Sequence, residues 1–329
     1  MTQENSERLG SAGRLDIRRF LLSREIIVLV LIIIAGIAAA NFSPYFLTAA
    51  NMKNVVIGMS IEMVVAIGLT VVLLSGGIDL SVGSVVALSA VVIALAFNEG
   101  ASIPVAIIAG MLSGLIVGLV NGLLIAYVGL NSLITTLGTM TIFRSVVYVL
   151  SGGYAMSSIP GAFKTLANGT FFFGLPNLVV LVVVLVSIFH LLLWQNVWFR
   201  KFAFLGGSEM AALRAGIDVK RLKLAGYLIC SFFAALGGVI VVARLGSAFP
   251  NTATGMELRV ITAVIVGGCS IYGGRGSILG AALGVLFLAL VNNILVLNAV
   301  SVYWQGVASG SVLILAVLSD AIINRGKRT

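Results

Sequence analysis

The sequence predicts an all-α, polytopic membrane protein with about ten transmembrane helices. Of its 329 residues, 60% are hydrophobic and only 9% are charged, whereas an ordinary soluble domain has about 25% charged residues. Apolar segments of roughly 17 to 25 residues recur along the whole chain, and each is long enough to cross a ~30 Å hydrocarbon core as a helix. These observations leave no soluble domain of any size.

Ten apolar segments define the predicted spans in order. Polar, charged or glycine-containing stretches separate them, and the eighth segment is short. The predicted spans are 26–42, 54–74, 82–97, 103–127, 133–150, 177–197, 224–243, 258–272, 278–298 and 302–319. A polar tail, 1–25, precedes the transmembrane domain, 26–320, and a basic tail, 321–329, follows it.

The formal net charge of +9 is explained by membrane topology. Basic residues precede the first span, follow the last span and cluster in the loop 200–223 between the sixth and seventh spans. The positive-inside rule therefore places both termini and this loop in the cytoplasm, which requires an even number of crossings. We accordingly expect membrane lipid, and not nucleic acid, around this chain.

Side chains that catalyse reactions or bind metals are nearly absent from the sequence. There is one histidine, His190, in an apolar segment, and no cluster has metal-site or catalytic-triad spacing. Cys230 and Cys269 lie in or beside apolar segments, as small buried side chains do. The phosphate-binding pattern G-x-x-x-x-G-K-[ST] is missing. We expect no enzyme activity, no metal and no cofactor in this chain.

Polar side chains within the apolar segments are the candidates for a solute pathway. Glu62 lies inside the second span, where a charge costs roughly 2.5 to 3.5 kcal/mol, so it should face other helices or water. A neutral glutamic acid that only joins two helices is the equal alternative. The other candidates suit a polyhydroxylated solute, although each can form interhelical hydrogen bonds or an aromatic belt instead: Asn121, Thr135, Thr136, Thr139, Thr141, Arg144, Asn292, Asn293, Trp304 and Gln305.

The segment S-G-G-I-D-L-S-V-G-S, from Ser75 to Ser84, places Asp79 between the second and third spans. As a structural residue, Asp79 together with Ser81 would satisfy free N–H groups at the start of the third helix. As a functional residue, it would line or gate the inner mouth of a pathway. The paired glycines also allow a re-entrant break toward the membrane centre.

Glycine spacing and capping residues predict local structure elsewhere. Two glycine runs at every fourth residue, 110–122 and 276–284, predict faces for close helix packing. In the basic loop, Ser208 can cap a short helix from Glu209 to Ala215, and Gly216 can end it. Such a helix offers a rigid knob to a soluble partner, and a purely structural surface helix is the alternative.

Several ordered blocks of sequence carry a family resemblance. They are S-G-G-I-D-L-S-V-G-S at Ser75, N-G-L-L-I-A-Y at Asn121, I-T-T-L-G-T-M-T-I-F-R at Ile134, E-M-A-A-L-R-A-G-I at Glu209, V-G-G-C-S-I-Y-G-G-R-G-S at Val266, V-N-N at Val291 and Y-W-Q at Tyr303. From about Asn51 to Asp320 the chain resembles the permease subunits of bacterial sugar-importing ABC transporters. It is most similar to the ribose, xylose, arabinose and autoinducer group of the branched-chain amino acid permease superfamily.

This resemblance implies a permease fold similar to that of the cobalamin importer, in the bacterial inner membrane. It implies a pathway made by two permease subunits, identical or paralogous, with two cytoplasmic ATPases that bind ATP and magnesium, and a periplasmic sugar-binding protein. The resemblance also implies a short coupling helix that docks on the ATPase, with basic residues beside it. The residues at the matching positions are Glu209, Ala211, Ala212, Arg214, Gly216 and Arg221.

The resemblance also implies that the cargo is a monosaccharide of the pentose or hexose class. The same machinery carrying a sugar alcohol, a nucleoside or a signalling sugar is the alternative, and an ion-coupled carrier is the alternative from another class. Glu62 departs from the ribose-type pattern, in which this position is often small or an amide. Ribose itself is therefore not assumed.

Overall fold

Thirteen α-helices and one π-helix make up the protein in a computed structural model that describes residues 24–171 and 174–325. Most of the predicted polar tail and the end of the basic tail lie outside these residues. The α-helices are α1 Arg24–Phe42, α2 Ala49–Leu74, α3 Val82–Asn98, α4 Ile103–Leu123, α5 Ser132–Ser151, α6 Gly161–Asn168, α7 Asn177–Gln195, α8 Val197–Gly207, α9 Glu209–Arg214, α10 Val219–Leu245, α11 Met256–Val266, α12 Ile278–Leu297 and α13 Val302–Arg325. The π-helix, Leu124–Val128, continues α4.

Eight helices among the described residues are long and apolar enough to cross a membrane. They confirm the predicted all-α membrane fold, and each coincides with a predicted span. These segments are Glu25–Phe42, Ala49–Leu74, Ile103–Val128, Ser132–Ser151, Asn177–Gln195, Val219–Leu245, Ile278–Leu297 and Tyr303–Ile322.

The other two predicted spans correspond to shorter helices, so the count of ten is not confirmed. The α3 helix is apolar and has 17 residues, which gives a length of about 25 Å. The α11 helix has only 11 residues and ends at Val266, well before the predicted end of the span 258–272. Gly268, with φ of 100°, turns the chain there. At about 16 Å, α11 is too short to cross the hydrocarbon core alone.

The centre of the bundle is formed by α2 and α10, with α3 and α4 packed against them. Every residue of α2 from Met63 to Leu74 is buried. The predicted glycine face of α4 packs on α10, because a methyl group at Gly114 would lie 2.5 Å from Ala235 Cβ. The second glycine run brings α12 against α11, where Gly284 meets the carbonyl of Ala263. Both predicted packing faces are confirmed.

The predicted short helix of the basic loop is also present. It is α9, and the Ser208 hydroxyl caps it by accepting from the backbone N–H of Ala211 at 3.2 Å. Gly216 follows the helix with φ of 75°, in the left-handed region that glycine adopts without strain. Much of the rest of the loop is helical as well, since α8 ends at Gly207 and α10 begins at Val219.

Candidate functional site

A cavity of about 600 Å³, here called the Glu62 cavity, lies between α2, α11, α12 and α13. Its volume is within the ~300–1,000 Å³ that is usual for small-molecule sites. Most lining residues are polar or small, and α13 supplies five of them. They are Glu62, Gly255, Leu258, Arg259, Thr262, Asn292, Gln305, Gly306, Ser309, Gly310 and Leu313.

An ion pair forms one wall of this cavity. Nε of Arg259, on α11, donates to Oε1 of Glu62, on α2, at 2.9 Å. The side chains of Arg259 and Glu62 are 34% and 19% exposed, so both are partly open to the cavity. A guanidinium carries its charge throughout the range of protein conditions, and the carboxylate beside it makes the pair neutral as a whole.

The other polar groups of the cavity carry no charge. Asn292 comes from α12, Thr262 from α11, and Gln305 and Ser309 from α13. Glycines at 306 and 310 leave space beside them, since a methyl group at either would meet nothing within 4 Å. Hydroxyl and amide groups both donate and accept hydrogen bonds. This cavity therefore matches the chemistry of a neutral, hydroxyl-rich solute.

The segment 247–255 between α10 and α11 determines where Arg259 lies. Nη1 of Arg144, on α5, donates to the carbonyl oxygens of Pro250 at 3.1 Å and Thr252 at 2.7 Å. Two charge-assisted hydrogen bonds from one guanidinium hold a chain segment firmly. Because α11 begins directly after this segment, Arg144 orients the helix that carries Arg259 into the cavity.

Glu257 attaches the start of α11 to α3. Its Oε1 accepts from the backbone N–H of Gly255 at 3.2 Å, and its Oε2 lies against Gly83 in the first turn of α3. Oε2 is buried without a hydrogen-bond partner among the described residues. A carboxylate at a helix N-terminus is favoured by the helix dipole, so Glu257 is suitably placed where the start of α11 packs on the start of α3.

Asp79 belongs to a buried hydrogen-bonded chain, here called the Asp79 network, and does not line the Glu62 cavity. Its Oδ1 accepts from the backbone N–H of Ser81 at 2.8 Å and from the Ser81 hydroxyl at 2.6 Å. Asn121 Nδ2 donates to the Ser81 hydroxyl at 2.9 Å, and the Thr139 hydroxyl donates to Asn121 Oδ1 at 2.7 Å. The hydroxyl of Thr136 donates to the carbonyl of Ile78 at 3.4 Å. The network links the 75–81 loop to α4 and α5.

The remaining pathway candidates have local or interhelical partners. Asn293 exchanges two hydrogen bonds with Asn51 of α2, at 2.9 and 2.8 Å. The hydroxyl of Thr135 donates to the carbonyl of Asn131, which caps α5, at 2.8 Å, and that of Thr141 donates to a carbonyl of its own helix at 3.1 Å. Trp304 is 65% exposed on the surface of α13. Of the predicted candidates, Glu62, Asn292 and Gln305 therefore share the cavity.

Several cavity residues were not among the sequence-based candidates. Arg259 is one of them, although an acidic group inside a span requires a nearby base. Arg259 lies close to Glu62, 197 positions earlier in the chain, only because of the tertiary fold, and no local sequence pattern indicates this contact. Thr262 and Ser309 resemble ordinary small polar residues of membrane helices. Gly306 and Gly310 are four residues apart, a spacing that is typical of close helix packing and gives no sign of a cavity.

No group of three or more His, Cys, Asp or Glu side chains is placed to hold a metal ion in the part of the chain that the structure describes. The cysteines Cys230 and Cys269 are both buried and are not joined by a disulfide. His190, on α7, faces a smaller surface pocket beside Trp194 and Ser277. None of these three residues lines the Glu62 cavity.

The second candidate feature is the exposed helix α9. Met210 and Leu213 are 60% and 50% exposed, whereas Ala212 is fully buried against the bundle. Glu209 is held by Lys223 of α10, whose Nζ lies 2.9 and 2.8 Å from the two carboxylate oxygens. A rigid, basic-flanked helix with two exposed apolar side chains has the composition of a docking element.

Comparison with known proteins identifies the family of this bundle. A model of the branched-chain amino acid transport system permease component matches residues 51–317. The chain belongs to this family. The matched range includes all the residues of the Glu62 cavity and all of α9.

Curated relatives cover most of this family member. The L-arabinose transport system permease protein AraH of Escherichia coli K12 is 38% identical over 302 residues, which is 92% of each chain. The ribose import permease protein RbsC of Bacillus subtilis 168 is 38% identical over 88% of this chain and 89% of its own. The autoinducer 2 import system permease protein LsrC of E. coli SMS-3-5 is 30% identical, over 91% and 87%. No solved structure matches the chain.

Proposed function

We propose that the protein is the permease subunit of an ATP-driven importer that carries a monosaccharide across the bacterial inner membrane. The observation that carries this proposal is the Glu62 cavity, whose ion pair is neutral as a whole and whose other polar groups are hydroxyls and amides. A neutral polyol exchanges hydrogen bonds with such a surface and brings no net charge into it. The relatives that are named for L-arabinose and ribose support the same class of solute.

Within this proposal, the solute-contacting residues are Glu62, Arg259, Asn292 and Gln305. A carboxylate accepts and a guanidinium donates, so together they bind adjacent hydroxyls of a sugar. The Asp79 network has a different role, because its members are buried and hydrogen-bonded to one another. It holds α3, α4 and α5 in register around the start of α3.

The importer also requires protein partners, and the exposed surfaces of the bundle indicate where they bind. The exposed residues of α9 dock on a cytoplasmic ATPase that binds ATP and magnesium, and Arg214 and Arg221 contribute positive charge to this contact. The basic loop and both termini then lie in the cytoplasm, and a periplasmic sugar-binding protein meets the opposite face.

A second permease subunit packs against α13, where Val307, Ile314 and Leu318 are exposed, and closes the cavity.

A signalling sugar is the alternative cargo. The relative named for autoinducer 2 import supports it, at 30% identity. The arabinose and ribose permeases described above are 38% identical to this chain, so L-arabinose and D-ribose are the first solutes to test.

The test is ATP-dependent uptake by the complete transporter in proteoliposomes, with radiolabelled L-arabinose and D-ribose as probes. We expect Glu62→Gln and Arg259→Gln each to reduce uptake about tenfold, since each leaves one charge unpaired beside the solute. Glu99→Gln, outside the cavity, is the matched control and should transport like the wild type.

The double variant Glu62→Gln/Arg259→Gln separates recognition from folding. It has no unpaired charge, so we expect it to accumulate in the membrane like the wild type. The sugar concentration at half-maximal uptake should be above the wild-type value in this variant, as in the two single variants. If the sugar concentration at half-maximal uptake equals the wild-type value in all three variants, Glu62 and Arg259 do not contact the solute. Uptake that continues without ATP would contradict the importer itself.

A further inference from the structure

Three segments that are distant in sequence meet main chain to main chain beside α9. The contact, here called the glycine junction, consists of Gly76, Gly206, Gly273 and Gly274. Gly206 lies in the last turn of α8, just before α9 begins. Gly76 follows the end of α2, and the other two glycines lie in the loop 267–277 between α11 and α12.

At Gly206, Gly273 and Gly274 the neighbouring main chain is too close for a side chain. A methyl group at Gly206 would collide with the carbonyl oxygen of Leu74. One at Gly273 would lie 2.8 Å from Cα of Gly76 and 2.9 Å from Cα of Gly206. The backbone N–H of Gly274 also donates to the Leu74 carbonyl at 3.0 Å. Main chains therefore touch here with no flexible side chain between them.

Each of the four helices around the Glu62 cavity is connected to this junction. The α2 helix ends within it, at Leu74, and the loop 267–277 joins α11 to α12. The α13 helix is attached to the same loop through Asp320, whose Oδ2 accepts from the Ser270 hydroxyl at 2.9 Å and from the backbone N–H of Ile271 at 3.3 Å. The junction is thus connected, through the chain or through hydrogen bonds, to all four helices that line the cavity.

We propose that the glycine junction transmits the movement of α9 to the Glu62 cavity, and that Gly206 is the positioning residue of this link. The inference rests on the proposed function, since it requires an ATPase that moves α9. Packed protein interiors have low compressibility, and coupling between sites runs through contiguous elements with discrete arrangements. A contact between main chains has no rotamers that could absorb a shift, so α8 and α9 move Leu74 and the loop 267–277 together.

Two neighbouring glycines provide a matched test of this link. Gly206→Ala and Gly207→Ala add the same methyl group in the same turn of α8, but a methyl at Gly207 meets nothing within 4 Å. Uptake of L-arabinose and D-ribose and ATP hydrolysis are measured together on the complete transporter in proteoliposomes. We expect Gly206→Ala to lower the solute transported per ATP about tenfold, and Gly207→Ala to stay within about twofold of the wild type.

The amount of solute transported per ATP distinguishes a transmitting contact from a contact that only supports packing. Poor packing alone lowers the amount of transporter in the membrane and leaves the solute transported per ATP unchanged. A wild-type ratio in Gly206→Ala would overturn the inference, and so would an equal loss in Gly207→Ala. If Gly206→Ala does not accumulate in the membrane, Asp320→Asn decides, since it weakens the attachment of the loop to α13 without adding an atom to the junction. A lowered ratio in Asp320→Asn supports the inference, and an unchanged ratio overturns it.

Failure of the proposed function is visible separately, in the wild type. In that case the unmodified transporter shows no ATP-dependent uptake of either sugar, and the inference fails with it. When the wild type transports, only the ratios of the variants bear on the glycine junction.

Discussion

At the scale of single residues, two carboxylates in the apolar part of the chain are stabilised in different ways. Glu62 is paired with a guanidinium and remains 19% exposed to a cavity. Asp79 is fully buried, and its Oδ1 accepts from the backbone N–H and the hydroxyl of Ser81. A solute can therefore reach Glu62 directly, whereas Asp79 acts on the position of α3.

Asp79→Ala tests the structural role of the Asp79 network. It leaves two buried donors of Ser81 without an acceptor, which costs about 1–3 kcal/mol. We expect a lower apparent melting temperature of the detergent-solubilised protein, followed by size-exclusion chromatography after heating. Asp79→Asn keeps one acceptor oxygen and should lose less. Equal losses in the two variants would mean that the negative charge, and not the hydrogen bonds to Ser81, is what the site requires.

The cavity residues show what the sequence could and could not predict. An acidic residue inside a span marks a functional candidate by its energetic cost alone, so Glu62 was identifiable. Its partner Arg259 was not, because their proximity depends on how segment 247–255 folds under Arg144. Polar candidates such as Asn121 and Thr139 carry the same chemistry as Asn292, and only the packing of the helices separates buried from lining positions.

At the scale of elements, helices with strong local signals were predicted well. Ser208 and Gly216 define the ends of α9, because capping and left-handed backbone are local requirements. The end of α11 was not predicted, since the apolar run continues to Ile271 while the chain turns at Gly268. Hydropathy measures the apolar environment and not the helical backbone, so a buried loop and a buried helix give the same signal.

Gly216→Val tests whether the end of α9 matters for coupling. Space is not the obstacle, because a methyl group there meets nothing within 4 Å, but a β-branched residue is strained at φ of 75°. We expect ATP-dependent uptake to fall about tenfold while the protein stays in the membrane. Asparagine tolerates the left-handed region, so Gly216→Asn should keep most of the uptake. Normal transport by Gly216→Val would exclude α9 as the docking element.

At the scale of the whole molecule, the bundle has two ends that differ in chemistry. The α5 helix begins beside the 75–81 loop, where the Ser132 hydroxyl accepts from the backbone N–H of Ile78 at 3.3 Å, and this end also carries the glycine junction and α9. The same helix is 20 residues long and ends at Ser151, about 30 Å away. Exposed residues near Tyr154 and on α9 therefore lie at opposite ends of the bundle.

Cysteine labelling tests this arrangement. Met210 and Tyr154 are 60% and 79% exposed, and both native cysteines are buried, so the unmodified protein provides a low background. We expect a membrane-impermeant maleimide to label Tyr154→Cys in spheroplasts and Met210→Cys only in inverted vesicles, in accordance with the positive-inside rule. Labelling of both variants from one side would contradict the proposed topology.

The contact between Gly206 and Leu74 also limits how such permeases can be recombined. A hybrid that takes only α9 from a relative keeps α8 and therefore keeps the close approach of Gly206 to the end of α2. A hybrid that takes α8 as well takes the residue at position 206 from the relative. Any side chain at this position collides with the carbonyl oxygen of Leu74. A donor segment can thus begin at Ser208 without disturbing this contact, and one that starts earlier must supply glycine at position 206.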